Sequence, residues 1–91
     1  DSSPTSYNLN QNYPNPFNPA TKITWQSPLA GHQTLKVYDV LGNEVATLID
    51  EFRNAGIYEV GFDASKLSSG VYFYQLKAGD YLNTKKMLLI R

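Results

Sequence analysis

One run of the chain, residues 71–76, constrains the fold more than any other. It is the densest stretch of β-branched and aromatic residues in the sequence, which is typical of a strand buried on at least one face. Leu67, Gly70 and Tyr72 form a Leu-x-x-Gly-x-Tyr pattern at its start. This pattern predicts a tyrosine corner, in which a tyrosine hydroxyl binds backbone a few residues upstream in a Greek-key sandwich. Gly70 would allow the tight approach and Tyr72 would supply the hydroxyl.

The remaining strands are predicted from alternating apolar and polar residues between turn signals about 8–12 residues apart. That spacing indicates an all-β chain, and its 91 residues suit one small domain. We predict a seven-stranded immunoglobulin/fibronectin-like Greek-key β-sandwich. Its strands are expected at residues 7–11, 21–26, 33–40, 44–49, 57–62, 71–78 and 81–90.

Residues 1–6 are polar and rich in Ser, Thr and Pro. Such a composition is typical of a flexible linker. We expect a linker from an upstream domain here, and a sandwich domain over residues 7–91. The chain would then be a soluble piece of a longer protein, with no membrane span.

Three prolines, Pro14, Pro16 and Pro19, fall within six residues. Each removes a backbone donor and each restrains the preceding residue to extended geometry, so the segment cannot be a helix. We predict a rigid loop that Tyr13 and Phe17 anchor on the edge of the sandwich. A ligand-binding loop is the alternative.

Trp25 alternates in phase with Ile23 on a predicted strand, which favours a place in the core. The alternative is an exposed platform on which a sugar could stack. Residues 63–67 are predicted to form one helical turn that Asp63 caps. Residues 50–56 are expected to be a polar loop.

Chemistry is limited by the residues that are missing. The chain has no cysteine and one histidine, so a thiolate metal site and a histidine cluster are excluded. His32 is expected in a turn, without a carboxylate or nucleophile near it in sequence. No phosphate-binding glycine motif or EF-hand spacing occurs, and calcium could bind only through loop oxygens. We therefore predict no enzymatic activity, no cofactor and no catalytic or metal-binding residue.

Charge is balanced overall, with eight basic and eight acidic residues, yet residues 77–91 carry a local excess of positive charge. Lysine commonly protects the exposed edge strand of a sheet, which is the plainest reading of this tail. Nucleic-acid binding would require a broader basic patch and a recognisable motif, and neither is present.

Four motifs follow one another along the chain. The first is Asn12-Tyr13-Pro14-Asn15-Pro16-Phe17-Asn18-Pro19-Ala20-Thr21, and the second is Val37-Tyr38-Asp39-Val40-Leu41-Gly42-Asn43-Glu44-Val45. The third is the corner pattern with Val71-Tyr72-Phe73-Tyr74, and the last is Lys85-Lys86-Met87-Leu88-Leu89-Ile90-Arg91. In this order the motifs resemble the type A C-terminal sorting domains of the type IX secretion system, and the resemblance covers about residues 7–91. The same family is similar to the immunoglobulin-like domain of flagellar hook-capping proteins.

The resemblance implies a function without catalysis. Such domains stand at the C-terminus of cargo proteins from Bacteroidetes-type bacteria and direct the cargo across the outer membrane to the exterior or cell surface. In well-studied members a sortase-like peptidase then removes the domain and links the cargo to lipopolysaccharide. The implied partners are therefore the type IX machinery, that peptidase and an upstream cargo domain.

The resemblance also assigns the sorting signal to Lys85, Lys86, Met87, Leu88, Leu89, Ile90 and Arg91. The two lysines could orient a receptor by their charge, and the apolar run could anchor it. A receptor could also bind this segment by adding a strand at an exposed edge of the sheet. Three alternatives remain. The tail could be an ordinary edge strand with Met87 and Leu89 in the core, the domain could bind carbohydrate for a secreted hydrolase through Trp25, Tyr81 or Tyr13, or it could be a structural spacer.

Overall fold

The computed structural model describes residues 4–91, so part of the linker predicted for residues 1–6 lies outside the described residues. Its seven strands are β1 Asn8–Leu9, β2 Ala20–Ser27, β3 Gly31–Tyr38, β4 Glu44–Arg53, β5 Gly56–Asp63, β6 Gly70–Ala78 and β7 Tyr81–Leu89. No helix that could span a membrane occurs among the described residues.

The strands form two antiparallel sheets, with the orders β1-β2-β5 and β4-β3-β6-β7. The predicted all-β chain of seven strands is confirmed. The order places β6 inside the four-stranded sheet, between β3 and β7, so the run of β-branched and aromatic residues at 71–76 has hydrogen-bonded neighbours on both sides. The Greek-key classification stays a prediction.

The core lies between the two sheets because alternate residues of each strand point inward. Trp25 is fully buried and donates from Nε1 to Gln33 Oε1 at 2.9 Å. The prediction of a core tryptophan is thus correct. The other largest fully buried apolar side chains are Leu9, Phe17, Ile23, Leu35, Val37, Tyr74, Leu76, Met87 and Leu89.

Gly70, the glycine of the Leu-x-x-Gly-x-Tyr pattern, has a φ of 151°, which is rarely adopted by a residue with a Cβ. The Tyr72 hydroxyl donates to the Ser68 carbonyl oxygen at 2.7 Å. A tyrosine corner uses a bond of this kind, and the corner itself stays a prediction, as the Greek-key classification does. Tyr74, two residues on, has a second structural hydroxyl, which donates to Asn10 O at 2.7 Å and accepts from Asn12 N at 2.8 Å. Burial raises the pKa of Tyr74 to about 12.

Two local expectations were wrong. Residues 63–67 form a simple turn and not a helical turn, closed by one bond in which Ala64 O accepts from Leu67 N. The Asp63 side chain does accept from Ser65 N, which is the capping bond that was expected. The expected loop at residues 50–56 is much shorter, since β4 continues to Arg53. There Arg53 packs over the Tyr58 ring at 4.8 Å, a cation–π contact that favours the extended course of the strand.

Candidate functional site

The predicted sorting residues lie on β7 and just beyond it, at the edge of the four-stranded sheet. An edge strand at this basic tail is as expected. Side chains alternate along the strand, so Met87 and Leu89 are buried in the core while Lys86 and Leu88 are exposed. Ile90 is exposed as well, and Lys85 is half-buried. The seven residues therefore divide into a part that holds the fold and a part that a partner could contact.

Arg91 belongs to the first part. Its guanidinium donates to the carbonyl oxygens of Leu67 and Ala64, in the turn that leads into the corner segment. Carbonyl oxygens at the end of a turn are good acceptors for a fork-shaped cation. The end of the last motif is thereby joined to the start of the corner motif. The sequence pattern did not indicate this contact, because Arg91 lies 27 residues from Ala64 and 24 residues from Leu67 along the chain.

The proline loop, residues 12–19, and the preceding Gln11 lie along the outer edge of β7 at residues 86–90. Phe17 N donates to Leu88 O at 2.9 Å, and Ile90 N donates to Phe17 O at 2.9 Å. Leu88 N donates to the Asn15 side chain at 3.0 Å, and Gln11 Nε2 donates to Lys86 O at 2.7 Å. We call these four bonds the edge latch. They satisfy four of the backbone groups that an edge strand otherwise leaves free.

The edge latch argues against strand addition, which was one way in which a receptor could read the signal. Lys86 O, Leu88 N, Leu88 O and Ile90 N already have partners within the domain, so a receptor strand could not pair with them. The Phe17 side chain fixes the loop, because it is buried and lies 6.3 Å from the Phe62 ring, centre to centre. Tyr13 was also expected to anchor the loop, but its side chain is 71% exposed. Its backbone pairs with Lys22 instead.

A cluster of buried polar groups at the ends of the proline loop maintains the conformation of the loop. Asn12 Nδ2 donates to Pro14 O and to Thr21 Oγ1, and the Thr21 hydroxyl donates to Pro14 O. Asn12 and Thr21 are both almost fully buried. Buried polar side chains with satisfied hydrogen bonds specify one conformation. The first motif thus has a structural task, which is to hold the loop on β7.

No enzymatic centre is visible in the part of the chain that the structure describes. His32 was expected in a turn but lies on β3. Its Nε2 is 2.6 Å from Asp50 Oδ1. The carboxylate comes from the neighbouring strand β4, which sequence proximity could not reveal. Both side chains are more than half exposed. No group of three or more His, Asp or Glu side chains suited to a metal ion occurs within residues 4–91.

The carbohydrate hypothesis loses its best support. Trp25 is buried, and Tyr81 is half-buried and stacked against Tyr7 at 5.0 Å. A cavity of 450 Å³ lies at the end of the sandwich away from Leu89, among residues of the β2–β3 and β6–β7 turns. Its position separates it from the predicted sorting residues.

Comparison with known protein families matches residues 11–91 to the secretion system C-terminal sorting domain. The chain belongs to this family. The match begins just before the proline loop and includes all of the edge latch. Searches of curated proteins and of solved structures found no match. As a member, the chain carries a C-terminal sorting signal for type IX secretion, and such a signal implies a secreted or cell-surface protein exported across the outer membrane. The family is a sorting family and not a catalytic one.

Proposed function

We propose that residues 7–91 are a non-catalytic sorting module that carries an upstream cargo protein through the type IX machinery. The observation that carries the proposal is the family match over residues 11–91. Residues 1–6 act as the linker to the cargo. A sortase-like peptidase cuts there after export, since polar Ser/Thr/Pro-rich segments next to a domain are typical sites of cleavage.

Within the module, residues 85–91 form the sorting signal, and its two kinds of residue have different tasks. Met87, Leu89 and Arg91 hold the strand in place. Lys85, Lys86, Leu88 and Ile90 present the side chains that the machinery contacts. The fold supports this division because the edge latch occupies four backbone groups of residues 86–90, while the side chains of Lys86, Leu88 and Ile90 remain exposed.

The test is export of a reporter fused to residues 1–91 in a host with a type IX system. The wild-type fusion should reach the cell surface, and mass spectrometry of the exported reporter should show cleavage within residues 1–6. Replacing Lys86, Leu88 and Ile90 by alanine should reduce surface reporter by about tenfold, since the loss of several central contacts abolishes most of an interface's affinity.

A matched control replaces Lys22, Glu59 and Ile57 by alanine. These residues are exposed on the opposite, three-stranded sheet and also include a charge and an apolar side chain. Their variant should be exported like the wild type. A wild-type fusion that stays in the periplasm would contradict the sorting function, and an intact linker on the exported reporter would contradict cleavage. Deletion of residues 85–91 is a poor test, because it also removes Met87 and Leu89 from the core.

A further inference from the structure

An apolar patch surrounds the exposed part of β7 on the outer face of the four-stranded sheet. The pairing places Tyr38 opposite Phe73 and Phe73 opposite Lys86, and it places Val71 opposite Leu88. Paired residues of neighbouring strands project from the same face. Leu88 is exposed, and the side chains of Tyr38, Val71 and Phe73 are half-buried. We call these five residues the outer patch.

A small cavity opens at the margin of the outer patch. It has a volume of 140 Å³ and is lined by Asn15 of the proline loop and by Val71, Lys86, Met87 and Leu88. A cavity of about 150 Å³ can accommodate a benzene ring. The cavity is thus large enough for one apolar side chain of a partner. Its wall includes Asn15, whose side chain accepts the edge-latch bond from Leu88 N.

The charge next to the cavity indicates what else the partner carries. Lys86 forms no ion pair within residues 4–91, whereas on the same face Lys36 Nζ lies 3.3 Å from Glu44 and His32 binds Asp50. Hydrogen bonds from the Thr47 hydroxyl and then from Lys36 lower the pKa of Glu44, which favours its charged form, and at 3.3 Å this carboxylate compensates the charge of Lys36. Lys86 is therefore the cation beside the cavity that a partner carboxylate could neutralise.

We propose that the outer patch docks a protein partner that inserts one apolar side chain into the cavity and places a carboxylate against Lys86. The inference rests on the proposed sorting function and names the contact through which the signal is read. A membrane fits the surface less well. Recognition of anionic lipid takes clusters of about 4–8 basic residues, and this face also carries Glu44 and Asp50.

Export of the reporter fusion tests the cavity. Val71→Trp fills it with apolar volume and leaves the charge unchanged, so the surface reporter should fall about fivefold or more, as for loss of a central interface contact. The control Ile57→Trp adds a larger apolar side chain at an exposed site on β5 and should export normally. Both variants should keep the wild-type unfolding midpoint, measured on the purified domain. Normal export of a folded Val71→Trp variant would overturn the inference and leave the sorting function standing.

The charge is tested by substitutions of Lys86. Lys86→Arg should export normally, Lys86→Glu should lose export about fivefold or more, and Lys22→Glu on the other sheet should export normally. Equal export of the Arg and Glu variants would overturn the proposed contact between Lys86 and a carboxylate of the partner. If the wild-type fusion itself is not exported, the proposed function fails, and the cavity is then judged by the binding measurement alone.

Binding is measured on the purified domain with 3-phenylpropionate, which combines an apolar ring with one carboxylate. Amide resonances of Val71, Lys86 and Leu88 should shift in the millimolar range, and Val71→Trp and Lys86→Glu should each abolish the shifts. Shifts centred on the 450 Å³ cavity at the other end would contradict the assignment. Binding to phosphatidylglycerol vesicles that Val71→Trp abolishes would assign the patch to a membrane and overturn the protein partner.

Discussion

At the scale of single residues, the two hydroxyls of β6 differ in what they hold. Tyr72 donates one bond to Ser68 O, close to it in sequence. Tyr74 is fully buried and joins β6 to residues 10 and 12, more than sixty positions away. The Leu-x-x-Gly-x-Tyr pattern assigned a role to the Tyr72 hydroxyl, whereas Tyr74 belonged to a motif that gave its hydroxyl no role. A buried hydroxyl with distant partners leaves no local signature in a sequence.

We expect Tyr74→Phe to destabilise the domain more than Tyr72→Phe. The Tyr74 change leaves Asn12 N buried without an acceptor, which costs about 1–3 kcal/mol, whereas loss of the single Tyr72 bond costs about 1 kcal/mol. Urea unfolding of the purified variants measures both. The control Tyr13→Phe changes an exposed side chain and should leave stability unaltered. Equal losses for the two β6 variants would contradict the prediction.

Tyr74 should also make stability depend on alkaline pH. Burial raises its pKa in the folded state to about 12, from the ordinary tyrosine value of 10.0. Between these two values the folded state retains a proton that the unfolded state has lost, so the free energy of unfolding falls as pH rises from 10 towards 12. This decline should be smaller in Tyr74→Phe than in the wild type. The comparison of urea midpoints at pH 9 and pH 11 measures it, and identical declines would contradict it.

At the scale of elements, the edge latch joins the first motif of the chain to the last. Phe17 lies beside Leu89 in an isolated parallel bridge, outside the seven strands. Proline geometry indicated a rigid loop and apolar anchoring. It could not indicate the strand beside which the loop lies, because a proline-rich segment has no pairing register of its own.

The strands themselves were more predictable than their contacts. Strict alternation identified β2 and β7 to within a residue or so of their ends. The continuation of β4 through Arg53 was missed, because its stabilising partners, Trp25 and Tyr58, come from other strands. Of the predicted sorting residues, periodicity indicated the buried positions Met87 and Leu89. It did not indicate that Arg91 binds the turn at residues 64–67.

Weakening the edge latch should expose the amides of β7 without unfolding the domain. Asn15→Ala removes the acceptor of Leu88 N, so hydrogen exchange at Leu88 should accelerate by about fivefold, the effect of losing a bond worth about 1 kcal/mol. Exchange at Tyr74, in the middle of β6, should change no more than global stability does. The control Asn18→Ala lies in the same loop at an exposed position. Unchanged exchange at Leu88 would show that the loop does not protect this edge.

At the scale of the whole molecule, the signal and the fold are one cooperative unit. β7 supplies Met87 and Leu89 to the same core that contains Trp25 of β2, on the opposite sheet. A chain of this size buries only about 60–65% of its unfolded surface, so it has little stability to spare. A sorting strand that contributed nothing to the core could fray independently. This strand cannot, because its inner face is part of the core and its outer edge is latched.

We therefore expect Met87→Ala to lower the stability of the entire domain by about 2–5 kcal/mol, the usual cost of truncating a buried methionine. The single tryptophan gives the measurement, since Trp25 fluorescence reports the core while far-UV circular dichroism reports the sheets. In urea both transitions should move together to a lower midpoint, as in a two-state domain. Leu88→Ala, one residue further on but exposed, should move neither by more than about 0.5 kcal/mol. If Met87→Ala altered circular dichroism while the Trp25 transition stayed in place, β7 would be an independent appendage. Its sorting residues would then be read from a strand that detaches, and the surface contact at the outer patch would lose its physical basis.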